Sequence, residues 1–335
     1  MTAHVSELEA AVIAHYGLPW PEVDEAGYAP VATALNTYAR FTLDDGWAAN
    51  RHMQRLLSTG QGEAMDALAE HWTRVMEQDM APIAKSAHAL ALAVSEIPGT
   101  INTLRLAIAG EAAALAARNA LTLAAGTLTF APGMAATAAA TVTADAQRTA
   151  ARAAQRVQNT AKAVQQSLRS LLADPDVAAL EKVPGDLSGG LGGGVGAGAT
   201  GGAAAGVAGA AAGAVGAGAG GAGDAGRGIG SVLRVDHEEH RLAARKLGEV
   251  AADVRARTTA ELTAATGRHA TVKASGSFAQ AVAPDLDLIL DRLAAATAAV
   301  AGHLSGALPD AVVLVSASQQ STDEGNRQRM ARLDQ

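Results

Sequence analysis

Cysteine is absent from all 335 residues, and Phe, Trp and Tyr occur only three times each. The lack of cysteine excludes disulfide bonds, thiol catalysis and zinc sites built from thiolates. The apolar 49% of the composition is therefore carried mainly by Ala, Leu and Val rather than by large rings. Because Ala and Leu are strong helix formers, and the residues that favour strands are sparse, we predict an all-α fold.

The chain also lacks an excess of basic charge. Its formal net charge is -7, and acidic residues outnumber basic ones by 13 to 5 within residues 1–100. This acidity argues against nucleic acid or an anionic membrane as a partner for that part. Glu7 and Glu9 stand where a signal peptide would have a basic segment followed by an apolar one. We therefore expect export, if it occurs, to use another route than a signal peptide.

No charged residue lies between Leu187 and Gly223, and Gly and Ala make up nearly all of that stretch. Such a composition disfavours helix and buries little surface, which predicts a flexible linker. Its small residues also have the spacing of a membrane glycine zipper, although Leu, Ile and Phe are nearly absent. The sequence thus predicts two helical-hairpin or bundle domains, residues 1–184 and 232–335, joined by a linker at 185–231.

Apolar residues recur at three- and four-residue steps on both sides of this segment, which predicts amphipathic helices. An apolar face is expected on each, with the charged residues opposite. The apolar faces are Met65, Leu68, Ala69, Trp72, Val75, Met76 and Met80; Ile83, Ala87, Leu90, Ala91, Val94, Ile97 and Ile101; Leu242, Leu247, Val250, Ala251 and Val254; and Phe278, Val282, Leu286, Ile289, Leu290, Leu293, Ala296, Val300 and Leu304.

Residues 103–144 are rich in Ala and Leu, and residues 119–144 carry no charge. That length could span a bilayer, but Pro132-Gly133 breaks the run. A buried helical hairpin is favoured, and insertion of this hairpin into a membrane is the alternative. Further along, Arg148, Arg152 and Arg156 form a basic row that we interpret as a solvated helix face, with an anionic partner as the other interpretation.

The sequence shows no motif of an enzyme. The glycine pattern of Gly216, Gly218 and Gly221 matches a dinucleotide fingerprint only formally, because no apolar strand precedes it. The run 236–240, Asp-His-Glu-Glu-His, has the wrong histidine spacing for a zinc peptidase and fits a charged helix N-terminus with Asp236 as its cap. We expect no enzymatic activity, no cofactor and no metal; a site assembled between helices is the remaining enzymatic hypothesis.

The order of features in residues 10–170 resembles the N-terminal helical domain of actinobacterial toxins exported by type VII (ESX) secretion, in the Trp-Xaa-Gly (WXG) helical-hairpin superfamily. The carrying residues are the run 17–22 (Gly-Leu-Pro-Trp-Pro-Glu), then Trp47, the turn at 58–64 and the pair His71-Trp72. Residues 232–333 are similar to the ESX-excreted, protein C-like family, through the loop 275–278 (Ser-Gly-Ser-Phe) before a long amphipathic helix.

This resemblance implies a secreted or cell-surface protein that binds a helical-hairpin partner or a second copy of itself, with the type VII machinery as a further partner; a cytoplasmic location is the alternative. None of the three tyrosines is followed four residues later by an acid, the export signal of that family. A partner would then carry the signal. The residues expected to form partner-binding motifs are Trp20, Trp47, Gly60, Gly62, Trp72, Gly276 and Phe278.

Overall fold

A computed structural model of the chain describes residues 7–128, 134–188 and 237–333. These residues are almost entirely helical and contain no strand, which confirms the all-α prediction. The first seven helices are α1 (Glu7–His15), α2 (Glu25–Thr59), α3 (Glu63–Arg74), α4 (Ala81–Leu128), α5 (Met134–Leu172), α6 (Pro175–Ala179) and α7 (Val183–Ser188). The later four are α8 (His237–Asp253), α9 (Thr259–Lys273), α10 (Ser277–Ser305) and α11 (Ala307–Leu333).

Two π-helical turns join helices that would otherwise be separate. Val75–Met80 connects α3 to α4, and Val254–Thr258 connects α8 to α9. In the first turn, the amide of Ala81 bonds to the carbonyl of Met76, five residues back. The next residue is Pro82, which has no amide hydrogen and cannot donate the i→i−4 hydrogen bond of an α-helix. The π-helical turn therefore lies directly before a position where that bond is missing.

The described residues divide into two compact units. Unit 1 consists of the described residues within Met1–Ala34, Ala89–Ala173 and Ala264–Ile289; unit 2 consists of those within Leu35–His88, Asp174–Thr263 and Leu290–Gln335. Each unit draws on segments from before and after residues 189–236. Those residues, which hold most of the predicted linker at 185–231, lie outside the described residues, as do Gly216, Gly218, Gly221 and Asp236.

The core of unit 1 is built from the apolar rows of α4, α5 and α10 together with the start of α2. On α4, the side chains that face inward recur at three- and four-residue steps, as the sequence predicts. Fully buried members of this core are Tyr28, Val31, Leu90, Val94, Ile97, Ile101, Ile108, Leu115, Leu168, Phe278, Val282, Leu286 and Ile289.

The core of unit 2 contains the predicted apolar rows of α3, α8 and the second part of α10. Most residues of these rows are buried together with the inner face of α2, while Ala69, Met76 and Leu242 are half-buried. Most polar residues between the row positions face solvent, but His71 and His240 are buried. Buried members are Leu35, Tyr38, Met53, Leu56, Met65, Leu68, Trp72, Ile83, Leu247, Val250, Leu293, Leu304, Leu308 and Val312. The run Ala311–Val315, although rich in Val, is helical and lies within α11.

Candidate partner-binding surface

The outer face of α2 exposes two large apolar side chains four residues apart. Trp47 is 72% exposed and Leu43 is 49% exposed. Positions i and i+4 of a helix lie next to each other, so these two side chains form one patch. We call it the Trp47 surface, and it belongs to unit 2.

Charged groups surround this patch. Arg40, Asp44 and Arg51 are all exposed on the same stretch of α2. The guanidinium of Arg40 lies 5.4 Å from the ring centre of Phe41, and that of Arg257 lies 4.4 Å from the same ring, both within cation–π range. An apolar centre with arginine at its rim is the composition of many protein–protein contact sites.

The opposite face of α2 is fixed by buried polar contacts within unit 2. Asp45 accepts a hydrogen bond from Arg257 (2.6 Å) and another from Thr258 (2.5 Å), in the π-helical turn after α8. Burial raises the pKa of Asp45, and the bonds from Thr258 and Arg257 act against that rise. The hydroxyl of Tyr38 lies 2.5 Å from Oγ1 of Thr297, whose own proton goes to the carbonyl of Leu293. These bonds hold the helix so that Trp47 faces outward.

Two histidines meet in the core of unit 2. The Nε2 atoms of His71 on α3 and His303 on α10 lie 3.0 Å apart, so one ring donates to the other. The pKa of His71 is lowered to about 4, mainly by burial and to a smaller extent by the neighbouring His303 and by Arg74. The pKa of His303 is also lowered, again mainly by burial. Both rings are therefore neutral at pH 7 and contribute a hydrogen bond rather than a charge.

Asp79 is a buried carboxyl in the π-helical turn after α3. Its pKa is raised to about 7, mainly by burial and to a smaller extent by the negative charge of Asp186. Arg74 acts the other way. A carboxyl with such a pKa is half protonated near neutral pH, and its ionised form is destabilised by its surroundings.

The three tryptophans that were predicted to form partner-binding motifs have different environments. Trp72 is buried, and its indole Nε1 donates to Oδ1 of Asn50 over 2.8 Å. Trp20 is half-buried in unit 1, with the guanidinium of Arg105 at 5.8 Å from its ring. Trp20 also lines an open groove of about 480 Å³ with Ile13 and Leu18. Only Trp47 presents most of its ring to solvent.

The other predicted motif residues serve local packing. Gly62 precedes α3 with φ of 117°, a conformation that favours glycine. A Cβ on Gly60 would press against the side chain of Met65, and one on Gly276 would overlap the carbonyl of Glu22. Phe278 is buried in unit 1. Of the seven predicted residues, Trp20, Gly276 and Phe278 belong to unit 1, and Trp47, Gly60, Gly62 and Trp72 belong to unit 2. Leu43 is a patch residue that was not predicted from the sequence.

The histidines of the run 236–240 that are described lie at the start of α8. Nδ1 of His237 is 2.6 Å from Oγ of Ser316, and Arg55 pairs with Glu239. Within residues 7–128, 134–188 and 237–333, no group of three or more His, Asp or Glu side chains is arranged to hold a metal ion.

Over the same ranges, one stretch, Ser277–Ala317, is long and apolar enough to cross a membrane by length and composition. Its inward-facing residues form the cores described above, and a buried core helix meets the same criteria. The predicted hairpin at 103–144 includes residues 129–133, which lie outside the described part of the chain.

Comparison of the chain with family models, with curated proteins and with solved structures finds no match.

Proposed function

We propose that this chain is a non-enzymatic substrate or associated structural protein of type VII (ESX) secretion, which binds a helical-hairpin partner through the Trp47 surface. The observation that carries the proposal is the exposure of Trp47 beside Leu43, on a helix whose other face is firmly held. In this proposal the protein reaches the cell surface or the medium without a signal peptide.

The energetics favour docking at this patch. Removing an exposed tryptophan side chain from water contributes about 2–3 kcal/mol, and a neighbouring leucine adds to this. Tryptophan and arginine are the residues most enriched at the centres of protein interfaces. Because Asp45 and Tyr38 already fix α2, little conformational entropy is lost when a partner binds.

The export part of the proposal rests on the resemblance of residues 10–170 and 232–333 to type VII substrates. The chain lacks a tyrosine followed four residues later by an acid, so the partner supplies that signal and the two proteins leave the cell as a pair. The division into helical domains 1–184 and 232–335, joined by the Gly/Ala-rich segment 185–231, is part of the same proposal.

Export can be tested in cells that lack the ATPase of the secretion system. The protein is quantified by immunoblot in the medium and surface extract of wild-type and ATPase-deficient cells, with a cytoplasmic protein as the lysis control. We expect the extracellular protein to fall at least tenfold in the deficient cells. Equal extracellular amounts in the two strains would remove the secretion proposal.

A further inference from the structure

A second apolar surface runs along α4 in unit 1. Leu92, Leu106 and Leu121 are 52%, 57% and 73% exposed. They are separated by 14 and 15 residues, about four helical turns each, so they lie on one face of the helix. We call the residues from Leu92 to Leu121 on this side the α4 outer face.

The charged Glu96 and Arg118 lie at the edge of this face, and along its middle the residues between the leucines are small and uncharged. Those exposed on the α4 outer face are Gly99, Thr103, Gly110, Ala113, Ala114 and Ala117. Two charged residues of the same stretch, Arg105 and Glu111, form ion pairs with Glu25 and Arg156 inside unit 1. The face can therefore approach another helix closely without burying an unpaired charge.

The two glycines on this face support a close external contact. A Cβ built on Gly99 or Gly110 meets no other atom of the described residues within 4 Å, so no packing in this part of the chain requires a glycine there. Glycine inside a helix costs about 0.5–1 kcal/mol relative to alanine. A neighbouring helix that approaches from outside would account for both positions.

The end leucines and several small residues of this face lie at matching distances from its centre. If a second, antiparallel α4 is centred on Leu106 and Ala107, Leu92 lies opposite Leu121, Gly99 opposite Ala114, and Thr103 opposite Gly110 of the second copy. Such a pairing obeys two-fold symmetry, which is the commonest symmetry of protein dimers.

The charges at the edge of the face agree with the same pairing. Glu96 and Arg118 are both exposed and project to the same side of the face. A two-fold axis perpendicular to both helices leaves these side chains on the same lateral side in both copies and reverses the chain direction. Position 96 of one copy then lies opposite position 117 of the other, which places Glu96 next to Arg118. Two Glu96–Arg118 pairs then flank the interface.

We infer that the α4 outer face docks against the same face of a second copy of this chain, with the two helices antiparallel. The face is about 44 Å long at 1.5 Å per residue. A pair of helices over that length buries about 1,000 Å², the lower limit for a specific interface. An interface at this lower limit is expected to be weak, with a dissociation constant on the order of micromolar. This inference does not depend on the partner proposed for the Trp47 surface.

Sedimentation equilibrium of the full chain at 1–100 µM tests the dimer. Leu106→Glu places two carboxylates next to the two-fold axis and should raise the dissociation constant at least thirtyfold. Gly110→Leu should raise it about tenfold without lowering the midpoint of urea unfolding, since the position is open inside the chain. Leu288→Glu, at an exposed leucine of α10, is the matched control and should leave it unchanged.

Cross-linking tests the orientation, because the natural chain has no cysteine. A Leu106→Cys chain should form a disulfide with itself under mild oxidation. Leu92→Cys should cross-link with Leu121→Cys but not with itself. Glu96→Arg should weaken the dimer, and Arg118→Glu in the same chain should restore it.

Three outcomes would overturn the inference: a wild-type monomer at 100 µM, efficient self-cross-linking of Leu92→Cys, or a monomer that floats with anionic or neutral liposomes through a contact abolished by Leu106→Glu. The last would assign the face to a lipid surface. None of these measurements involves export, so failure of the dimer and failure of the secretion proposal are separate results.

Discussion

A Cβ on Gly276 would overlap the backbone carbonyl of Glu22, which brings the loop before α10 against the segment before α2 in unit 1. The adjacent Ser275 strengthens this contact, because its Oγ accepts a hydrogen bond from the amide of Asp24 over 3.0 Å. Glycine is required here by the close approach of another backbone.

Gly276→Ala should therefore lower the free energy of unfolding by about 2–4 kcal/mol, since two backbones must separate to admit the methyl group. Gly267→Ala is the matched control: it lies in α9 with open space at its Cβ and should be neutral or stabilising by about 0.5–1 kcal/mol. Urea unfolding monitored by circular dichroism measures both. A neutral Gly276→Ala would show that the two segments are not in contact in solution.

The buried carboxylate of Asp45 should matter far more than its neighbour in sequence. Asp45→Ala removes the acceptor of two hydrogen bonds and leaves Thr258 and Arg257 without it, at a cost of about 3 kcal/mol. Asp44→Ala, at an exposed position of the same helix, should change stability by less than about 0.5 kcal/mol. The urea midpoints of the wild type, Asp45→Ala and Asp44→Ala measure the difference. Equal midpoints for the two variants would contradict the hydrogen bonds from Arg257 and Thr258 to Asp45.

The histidine pair should make unit 2 sensitive to acid. Because burial lowers the pKa of His71 to about 4 from an unfolded value of 6.5, the unfolded chain binds more protons between these values. The stabilisation is complete above pH 6.5 and is lost as the pH falls towards 4, by up to about 3 kcal/mol. His71→Gln should flatten this dependence, whereas His88→Gln, at an exposed histidine, should retain it. Unfolding midpoints at pH 4.5–7.5 measure the slope, and identical slopes for wild type and His71→Gln would exclude the buried pair as its source.

Asp79 should act in the opposite direction. Its pKa of about 7 exceeds the unfolded value of 3.8, so the folded chain holds the proton longer and loses stability as the pH rises from about 4 to 7. Asp79→Asn removes this penalty and should stabilise the protein by about 2–4 kcal/mol above pH 7, and by little at pH 4. Thermal unfolding at pH 4 and pH 8 provides the comparison. A destabilised Asp79→Asn at pH 8 would mean that the ionised carboxylate has a favourable partner.

The helices and their inward faces could be predicted because a 3.6-residue apolar period is a local property of the sequence. The row from Phe278 to Leu304 illustrates this: each predicted apolar position is buried. Even the difference between two tryptophans has a local signal. Trp72 has Leu68, Val75 and Met76 at neighbouring helical positions, whereas Trp47 has Asp44, Asn50 and Arg51.

The polar contacts could not be predicted in the same way. His71 and His303 are 232 residues apart in sequence, and Asp45 and Thr258 are 213 apart. The apolar periodicity of a helix does not specify which other helix it packs against. The two π-helical turns could not be predicted either, because the apolar rows continue through them. Trp20 and Phe278 both contribute to packing within unit 1, and their part in partner binding stays a prediction that follows from the resemblance.

The role of the Trp47 surface in export is measured by comparing the export of the Trp47→Ser chain with that of Val313→Ser, which alters another exposed apolar side chain of unit 2. Both variants should keep the wild-type urea midpoint. Extracellular Trp47→Ser should fall at least tenfold while its cellular level is maintained, and Val313→Ser should be exported as wild type. Wild-type export of a folded Trp47→Ser protein would contradict the role of the Trp47 surface.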